Sequence, residues 1–228
     1  ANIKSVDTSA AEAMDGVLAV ITGADMPEAL DKLVDLGEGN VNFKWASNKL
    51  MADDKVVYRG HPVAAVAAVD RYTAEEAARK VVVEYEVLKA VTNVTDALAP
   101  DAPIVLPDLV GDDLGEDVTN TNMAEHVRHE FGDVEGAMAS AAHTIEREYN
   151  MQMVHQGYIE PHNATAVWDE EDRIKIWTST QGAFAARTQI AGILQVDVSK
   201  VKVTPLEIGG GFGGKIPVYF EPIAAILS

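Results

Sequence analysis

Val63-Ala64-Ala65-Val66-Ala67-Ala68-Val69, Asp70, Arg71 to Lys80, and then Val81-Val82-Val83-Glu84-Tyr85-Glu86-Val87 is the stretch that decides the fold. Apolar residues fill both faces of the first run, the pattern of a buried strand. Asp70 is placed to cap a helix whose early turns carry Glu75 and Glu76 and whose last turn carries Arg79 and Lys80. That order of charges suits the helix dipole. The run from Val81 to Val87 alternates in part and reads as a second strand. Strand, helix and strand with short links make a compact α+β unit.

Working outward, Ile3–Val6 reads as a strand end, and Asp7 or Ser9 as the cap of a short helical stretch, Ala10–Met14, closed by Asp15-Gly16. Val17–Ile21 has strand length and continuous apolarity, and Thr22–Pro27 turns the chain. Phe43 and Trp45 alternate, which predicts a short strand with one buried face. Arg59-Gly60-His61-Pro62 is a turn. Residues 95–125 scatter Pro100, Pro103, Pro107, Gly111 and Gly115 among acidic residues and have little to bury, so they are expected to form a surface connector. Beyond it, Asp133 caps a helix start, and His143–Met153 alternates as a long strand. Asn163–Trp168 and Arg173–Trp177 make a hairpin across Asp169–Asp172. Residues 183–194, with Phe184, Ile190, Ala191 and Leu194, read as an amphipathic helix, and Val201–Val203 as a strand. The expected division is 1–94, 95–125 and 126–228.

Composition narrows the function classes. Eighteen Lys and Arg face 36 Asp and Glu, a net charge of −18. That balance argues against a nucleic-acid or anionic-membrane partner, since both require clustered basic residues. There is no Cys, which excludes disulfides, Cys-ligated zinc, iron–sulfur clusters and a thiol nucleophile within this chain. No run reaches the roughly 18 apolar residues that span a bilayer, and no leader precedes the first strand, so the expected location is cytoplasmic. The opening at Ala1-Asn2-Ile3 and the apolar close at Pro222–Ser228 give the expectation of a piece of something longer.

Ile208-Gly209-Gly210-Gly211-Phe212-Gly213-Gly214-Lys215 is the densest functional signal. Five glycines around one ring suit a backbone that takes φ > 0 or presses against something large. Lys215 is followed by Ile216, so the stretch is not a phosphate loop; nor does it open a dinucleotide-binding helix. A loop whose N–H groups bind an anion or oxo ligand remains. Three polar groups accompany it. Glu160-Pro161-His162, with His155, could be ligands or an acid–base pair, or could orient structure. His126 and His129 stand three apart and could share a helical face, or be simply solvated. Gln181 lies in a strand-to-helix turn, where its amide could hold an oxo group or substrate, or cap the helix.

The ordered series Tyr58–Ala64, Val83–Glu86, Gly157–His162, Trp177–Gln181 and Gly209–Lys215 resembles the xanthine dehydrogenase/aldehyde oxidase family of molybdenum hydroxylases, which includes aerobic carbon monoxide dehydrogenase. The part resembled is the beginning of the large, molybdopterin-binding subunit. The resemblance implies an α+β chain: an α/β hammerhead domain in residues 1–94, the acidic connector, then the first part of a molybdenum-cofactor-binding α/β domain. It implies that Gln181 is a catalytic residue contacting an oxygen ligand on molybdenum. Gly210, Gly211, Phe212, Gly213 and Gly214 would lie against the cofactor, with Glu160 and His162 on the substrate side and no direct protein ligand to the metal.

The reaction implied is hydroxylation of a small aromatic heterocycle, aldehyde or related substrate with water as the oxygen source. Electrons would leave through iron–sulfur centres to FAD on partner domains or subunits, in an assembled complex that is itself a dimer. The nucleotide form of the pterin, cytosine dinucleotide among the forms, stays open. Ile216 stands where the purine- and aldehyde-oxidising branch carries a Glu, which counts against xanthine. The family's general base lies beyond residue 228, so the isolated chain is expected to be inactive. The other function class is a binding or assembly module that keeps the fold without molybdenum.

Overall fold

The computed structural model describes residues 1–37 and 39–228. In chain order it contains β1 (Asn2–Asp7), α1 (Ser9–Glu12), β2 (Val17–Thr22), β3 (Leu33–Asp35), β4 (Asn40–Asn42), α2 (Phe43–Leu50), β5 (Ala64–Ala68), α3 (Arg71–Ala78) and β6 (Val82–Glu86). There follow α4 (Val94–Ala97), β7 (Gly111–Asp113), β8 (Glu116–Val118), β9 (Glu125–His126) and α5 (Val134–Ser140). The last part holds β10 (Ala164–Trp168), β11 (Ile174–Thr178), α6 (Ala183–Leu194), β12 (Val201–Pro205) and α7 (Glu221–Ile226). Residues 1–87 and 155–228 form one compact unit, and residues 88–154 another. Among the described residues no helix is long and apolar enough to cross a membrane.

In the first unit, β2 pairs antiparallel with β5, Val20 opposite Val66. β1 pairs antiparallel with β6, Val6 opposite Val83. The expected strand–helix–strand is therefore present, with its strands in two different pairs. The Asp70 carboxylate accepts from Thr73 N at 2.9 Å, capping α3 as expected. The short helix α1 is capped differently. Thr8 is the N-cap residue without a side-chain cap bond, its hydroxyl donating to Glu12 Oε1 at 2.6 Å, and Asp7 accepts from the backbone and hydroxyl of Ser9.

Phe43 and Trp45 lie in a helix, not the expected strand. Asn42 decides it, because its side-chain oxygen accepts from Lys44 N at 3.0 Å and Trp45 N at 3.4 Å, satisfying donors that a helix start leaves bare. Phe43 is then buried against Gly192 of α6. The far end of α2 is held by the 57–62 turn. Tyr58 donates its hydroxyl to Lys49 O at 2.8 Å, and His61 Nδ1 accepts from Val57 N at 3.2 Å. With Nδ1 accepting, Nε2 carries the proton and donates to Asn48 O at 2.7 Å.

The hairpin β10–β11 is antiparallel, with Ala166 opposite Ile176, and β12 joins β11 in parallel, Val203 beside Ile176. Parallel neighbours need a crossover, and α6 supplies it. Ile174 and Ile176 on β11 and Ile190, Ile193 and Leu194 on α6 are the centre of the core. Phe184, expected on the apolar face of α6, is 83% exposed. The face used instead passes through Ala186, Gln189, Ile190 and Ile193.

In the second unit the expected connector is structured. β7 pairs antiparallel with β8 and parallel with β9. Asn122 ties three of its segments together. Its amide donates to Ala97 O and Pro103 O, each at 3.0 Å, and accepts from Val105 N at 2.8 Å. His126 is on a strand, bonded to Asp113 Oδ1 at 2.7 Å, so it shares no helical face with His129. Asp133 caps α5 through Gly136 N at 2.8 Å, as expected. His143–Met153, expected to be a strand, forms none, and its residues are exposed on both faces. A strand is defined by a neighbour that takes up its N–H and C=O groups, and among the described residues none does so here.

Candidate functional site

Three segments of the first unit meet at Lys215. β11 runs into Ser179-Thr180-Gln181 before α6 begins, the link after residue 154 brings in Tyr158, Glu160 and His162, and the glycine loop follows β12. Gln181 and Lys215 bond to each other twice: Gln181 N donates to Lys215 O at 3.0 Å, and Lys215 N donates to Gln181 Oε1 at 3.1 Å. Gly213 N donates to the same Oε1 at 2.9 Å. The alternative of Gln181 as a helix cap is not realised. Gly182 is the N-cap residue, and its N–H goes to Thr180 Oγ1 at 3.2 Å.

Why glycine is needed here is measurable at two positions. A Cβ on Gly211 would stand 2.6 Å from Gln181 Oε1, closer than any real contact, so a side chain there would expel the Gln181 amide. Gly213 has φ +87° and follows Phe212 at φ +50°. Two successive residues in the left-handed region make a sharp reversal that is strained for the Phe and accessible to the Gly. In front of Gly213 no heavy atom of the described residues lies within 4 Å of a built Cβ. Phe212, which the resemblance puts against the cofactor, is 72% exposed, and its ring folds over Gly210.

Under the loop is a polar floor with little sequence signal. The Lys215 side chain is 1% exposed. Its ammonium donates to Glu160 Oε2 at 2.7 Å and to Ser179 Oγ at 3.3 Å, and lies 5.0 Å from the centre of the Tyr158 ring. A buried ammonium requires such partners. Glu160 Oε2 also accepts from Gly209 N at 2.7 Å. The Lys215 ammonium and then the Gly209 N–H hold the Glu160 pKa down to about 2.

His162 stands beside this pair, its Nε2 2.8 Å from the Tyr158 hydroxyl and its ring 4.6 Å from that of Tyr219. Burial, the largest cause, pushes its pKa below the usual value and keeps the ring neutral. Behind it, Thr178 donates to the buried Glu221 at 2.7 Å. Gln189 anchors the chain after the loop, donating to Ile216 O at 3.1 Å and accepting from Val218 N at 3.3 Å.

The structure thus gathers Gln181, Gly210–Gly214, Glu160 and His162 into one place. His155 is nearby, with its ring 4.9 Å from Tyr158; His126 and His129 belong to the other unit. Lys215, Ser179, Tyr158 and Thr178 were not singled out as functional from sequence. A lysine in a glycine loop carries a signal only once its burial is known, and the serine, tyrosine and threonine carry none. A cleft of about 790 Å³ opens elsewhere in the first unit, lined by Met26, Glu28, Asp31, Lys44, Asn48 and Asp53 among others. It contains no residue of the loop network, and its size alone does not outweigh that network's convergent donors.

The donor set suits an acceptor-rich group such as an oxo ligand or a pterin. Gln181 Oε1 is taken by two backbone N–H groups, which leaves the amide NH₂ as a donor. The N–H groups of Gly210, Gly211 and Phe212 have no acceptor among the described residues. Open N–H donors, and a glycine whose built Cβ meets no described atom within 4 Å, are what close approach of such a group requires.

The family model for the molybdopterin cofactor-binding domain matches residues 115–228, and that for the aldehyde oxidase and xanthine dehydrogenase a/b hammerhead domain matches residues 1–89. The carbon monoxide dehydrogenase large chain of Afipia carboxidovorans is 32% identical over 100% of this chain and 28% of its own length. The nicotinate dehydrogenase large molybdopterin subunit of Eubacterium barkeri is 30% identical over 100% of this chain and 49% of its own. The chain therefore spans between about a quarter and a half of these relatives. In three dimensions it is similar to reconstituted CO dehydrogenase from Oligotropha carboxidovorans, with a TM-score of 0.78 and 30% identity over 99% of this chain and 28% of that one. It is also similar to the aldehyde oxidoreductase of Desulfovibrio gigas, with a TM-score of 0.76 and 26% identity over 99% of this chain and 24% of that one. From its hammerhead strands to the loop closed by Lys215, this chain belongs to the xanthine dehydrogenase/aldehyde oxidase family of molybdenum hydroxylases.

Proposed function

We propose that this chain is the first part of the molybdopterin-binding subunit of a molybdenum-dependent oxidoreductase. In this reading residues 1–94 are the hammerhead domain, 95–125 connect, and 126–228 begin the cofactor domain. The observation that carries it is the pairing of Gln181 Oε1 with two loop N–H groups, which leaves the Gln181 amide NH₂ to donate, in a loop where the N–H groups of Gly210, Gly211 and Phe212 have no acceptor among the described residues.

When bound, the molybdenum cofactor supplies a two-electron oxidation with water as the oxygen source. The protein binds and orients. Gln181 would donate to an oxygen of the cofactor, Gly213 would let the backbone approach it, and the exposed Phe212 would border it. Glu160 and His162 stand on the substrate side, the first ionised and the second neutral near pH 7. The substrate is a small aromatic heterocycle, aldehyde or related molecule, with Ile216 placed where a purine oxidiser would carry a carboxylate. Iron–sulfur and FAD centres on partner domains or subunits accept the electrons, in a cytoplasmic, dimeric assembly, and the pterin's nucleotide form includes the cytosine dinucleotide among its options.

The test is metal and pterin analysis of Gln181→Glu beside Gln181→Ala in the assembled protein. A glutamate keeps the oxygen that the loop needs and removes the donor. The expected result is loss of molybdenum in both variants, with the fold retained in Gln181→Glu. Full molybdenum in both would mean that Gln181 does not hold the cofactor, and a wild-type assembly without molybdenum would refer the chain to the binding or assembly role.

A further inference from the structure

Two side-chain oxygens hold both ends and the turn of the glycine loop. Glu160 Oε2 accepts from Gly209 N and from the Lys215 ammonium, each at 2.7 Å. Gln181 Oε1 accepts from Gly213 N and Lys215 N at 2.9 and 3.1 Å. Lys215 belongs to both sets, through its side chain to Glu160 and through its backbone to Gln181.

We propose that Glu160 and Lys215 are positioning residues: their ion pair ties Gly209 to Lys215 and thereby sets where the Gln181 amide and the Phe212–Gly213 turn stand. Glu160 then acts on the site through the loop and not by touching substrate. This rests on the reading of the loop as a cofactor cradle.

The chemistry of the pair supports it. Glu160 Oε2, the oxygen facing inward, already accepts two donors. A lysine is costly to bury and to immobilise, and at 1% side-chain exposure Lys215 would not be retained as a simple spacer. Its ammonium meets a carboxylate, a hydroxyl and a ring face, while its own N and O meet Gln181. One residue thus transmits the position of the Tyr158–Glu160 segment to the amide that faces the ligand. The two partners are unequal. Glu160 is 29% exposed and Lys215 is not, so removing the carboxylate strands a buried charge, whereas removing the ammonium leaves a carboxylate that water can reach.

The test uses the assembled holoprotein with Glu160→Gln, Lys215→Met and the double variant. Hydrogen exchange at Gly209, Gly213 and Lys215 is expected to quicken about tenfold or more in Glu160→Gln, with Ile190–Leu194 of α6 unchanged. Lys215→Met should have the smaller effect, which keeps the test open if Glu160→Gln fails to fold. In the double variant global stability should recover relative to Glu160→Gln, while loop exchange stays fast. Molybdenum content should fall, and in the loaded fraction kcat should drop with KM unchanged. A raised KM with wild-type loop exchange would overturn the proposal and make Glu160 a substrate contact. If the wild-type protein holds no molybdenum, the functional reading fails, but the exchange experiment still decides whether the pair sets the loop.

Discussion

Gln181 and Lys215 are joined by two hydrogen bonds that run in opposite directions, Gln181 N to Lys215 O at 3.0 Å and Lys215 N to Gln181 Oε1 at 3.1 Å. A residue at a strand-to-helix turn and one at the end of a glycine loop are thus registered against each other. Because the side chain is also the acceptor for Gly213 N, the loop and the amide cannot move independently.

Gln181→Ala should therefore cost stability as well as cofactor. It removes the acceptor of two backbone N–H groups, but at an exposed position where water replaces it in part, so the loss is about 1 kcal/mol. Gln181→Glu should retain most of that. Chemical denaturation of the two variants checks the order, and equal stabilities would mean that the Oε1 bonds do not hold the loop.

Gly213 separates backbone strain from ligand space. Gly213→Val combines a β-branched side chain with φ +87° and should abolish cofactor retention. Gly213→Asn tolerates the left-handed conformation, and its Cβ meets no protein atom within 4 Å. If a ligand fills that space, Asn should also lower molybdenum content while leaving the melting temperature within a few degrees. Wild-type loading in Gly213→Asn would mean that nothing presses on Gly213.

Gly192 is the point on α6 against which Phe43 of α2 packs. A Cβ there would lie 2.2 Å from Phe43 Cε2, with two more ring atoms inside 3.0 Å. Overpacking of that kind costs about 1–3 kcal/mol, against a helix-propensity gain of about 1 kcal/mol for Ala over Gly. Gly192→Ala should be net destabilising in urea, and Phe43→Leu in the same background should restore part of the loss. A stabilised Gly192→Ala would show that Phe43 has room to move.

His61 predicts a pH effect with a definite sign. Burial pushes its pKa below 6.5, against a smaller opposing effect of the Asn48 bond. Between its folded value and 6.5 the unfolded chain takes a proton that the folded chain refuses, so the contribution is full above 6.5 and falls as pH drops toward the folded value. The melting temperature should decline as pH falls below about 6.5 in the wild type, and less in His61→Gln. The Glu160 contribution runs at lower pH. With its pKa moved from 4.5 to about 2, it is complete above 4.5 and is lost as pH falls through about 2. A wild-type curve no steeper than that of His61→Gln would contradict the tautomer assigned to the 57–62 turn.

Much of the fold was legible because local pattern and tertiary position agreed. The apolar run at Val63–Val69, the Asp70 cap and the hairpin across Asp169–Asp172 need no distant partner to be read. Phe43-Lys44-Trp45 was misread because two residues of alternation weigh less than one good cap at Asn42. His143–Met153 was misread for the opposite reason: its alternation is real, but pairing depends on a neighbour that sequence periodicity does not name. Within residues 95–125, β7, β8 and the hydrogen bonds of Asn122 have no periodic signature from which they could be read.

At the candidate site the glycines and Gln181 could be singled out from sequence, since few other roles require five glycines around one ring. The partnership of Glu160 with Lys215 could not, because 55 residues separate them and neither carries a spacing that points to the other.

The most direct measurement is the molybdenum-to-protein ratio of the freshly purified, assembled wild-type protein, taken with release of a pterin on denaturation. Molybdenum is expected to approach one atom per copy of this chain with a pterin released alongside it, both lost in Gln181→Ala. An active assembly free of molybdenum and pterin would contradict it.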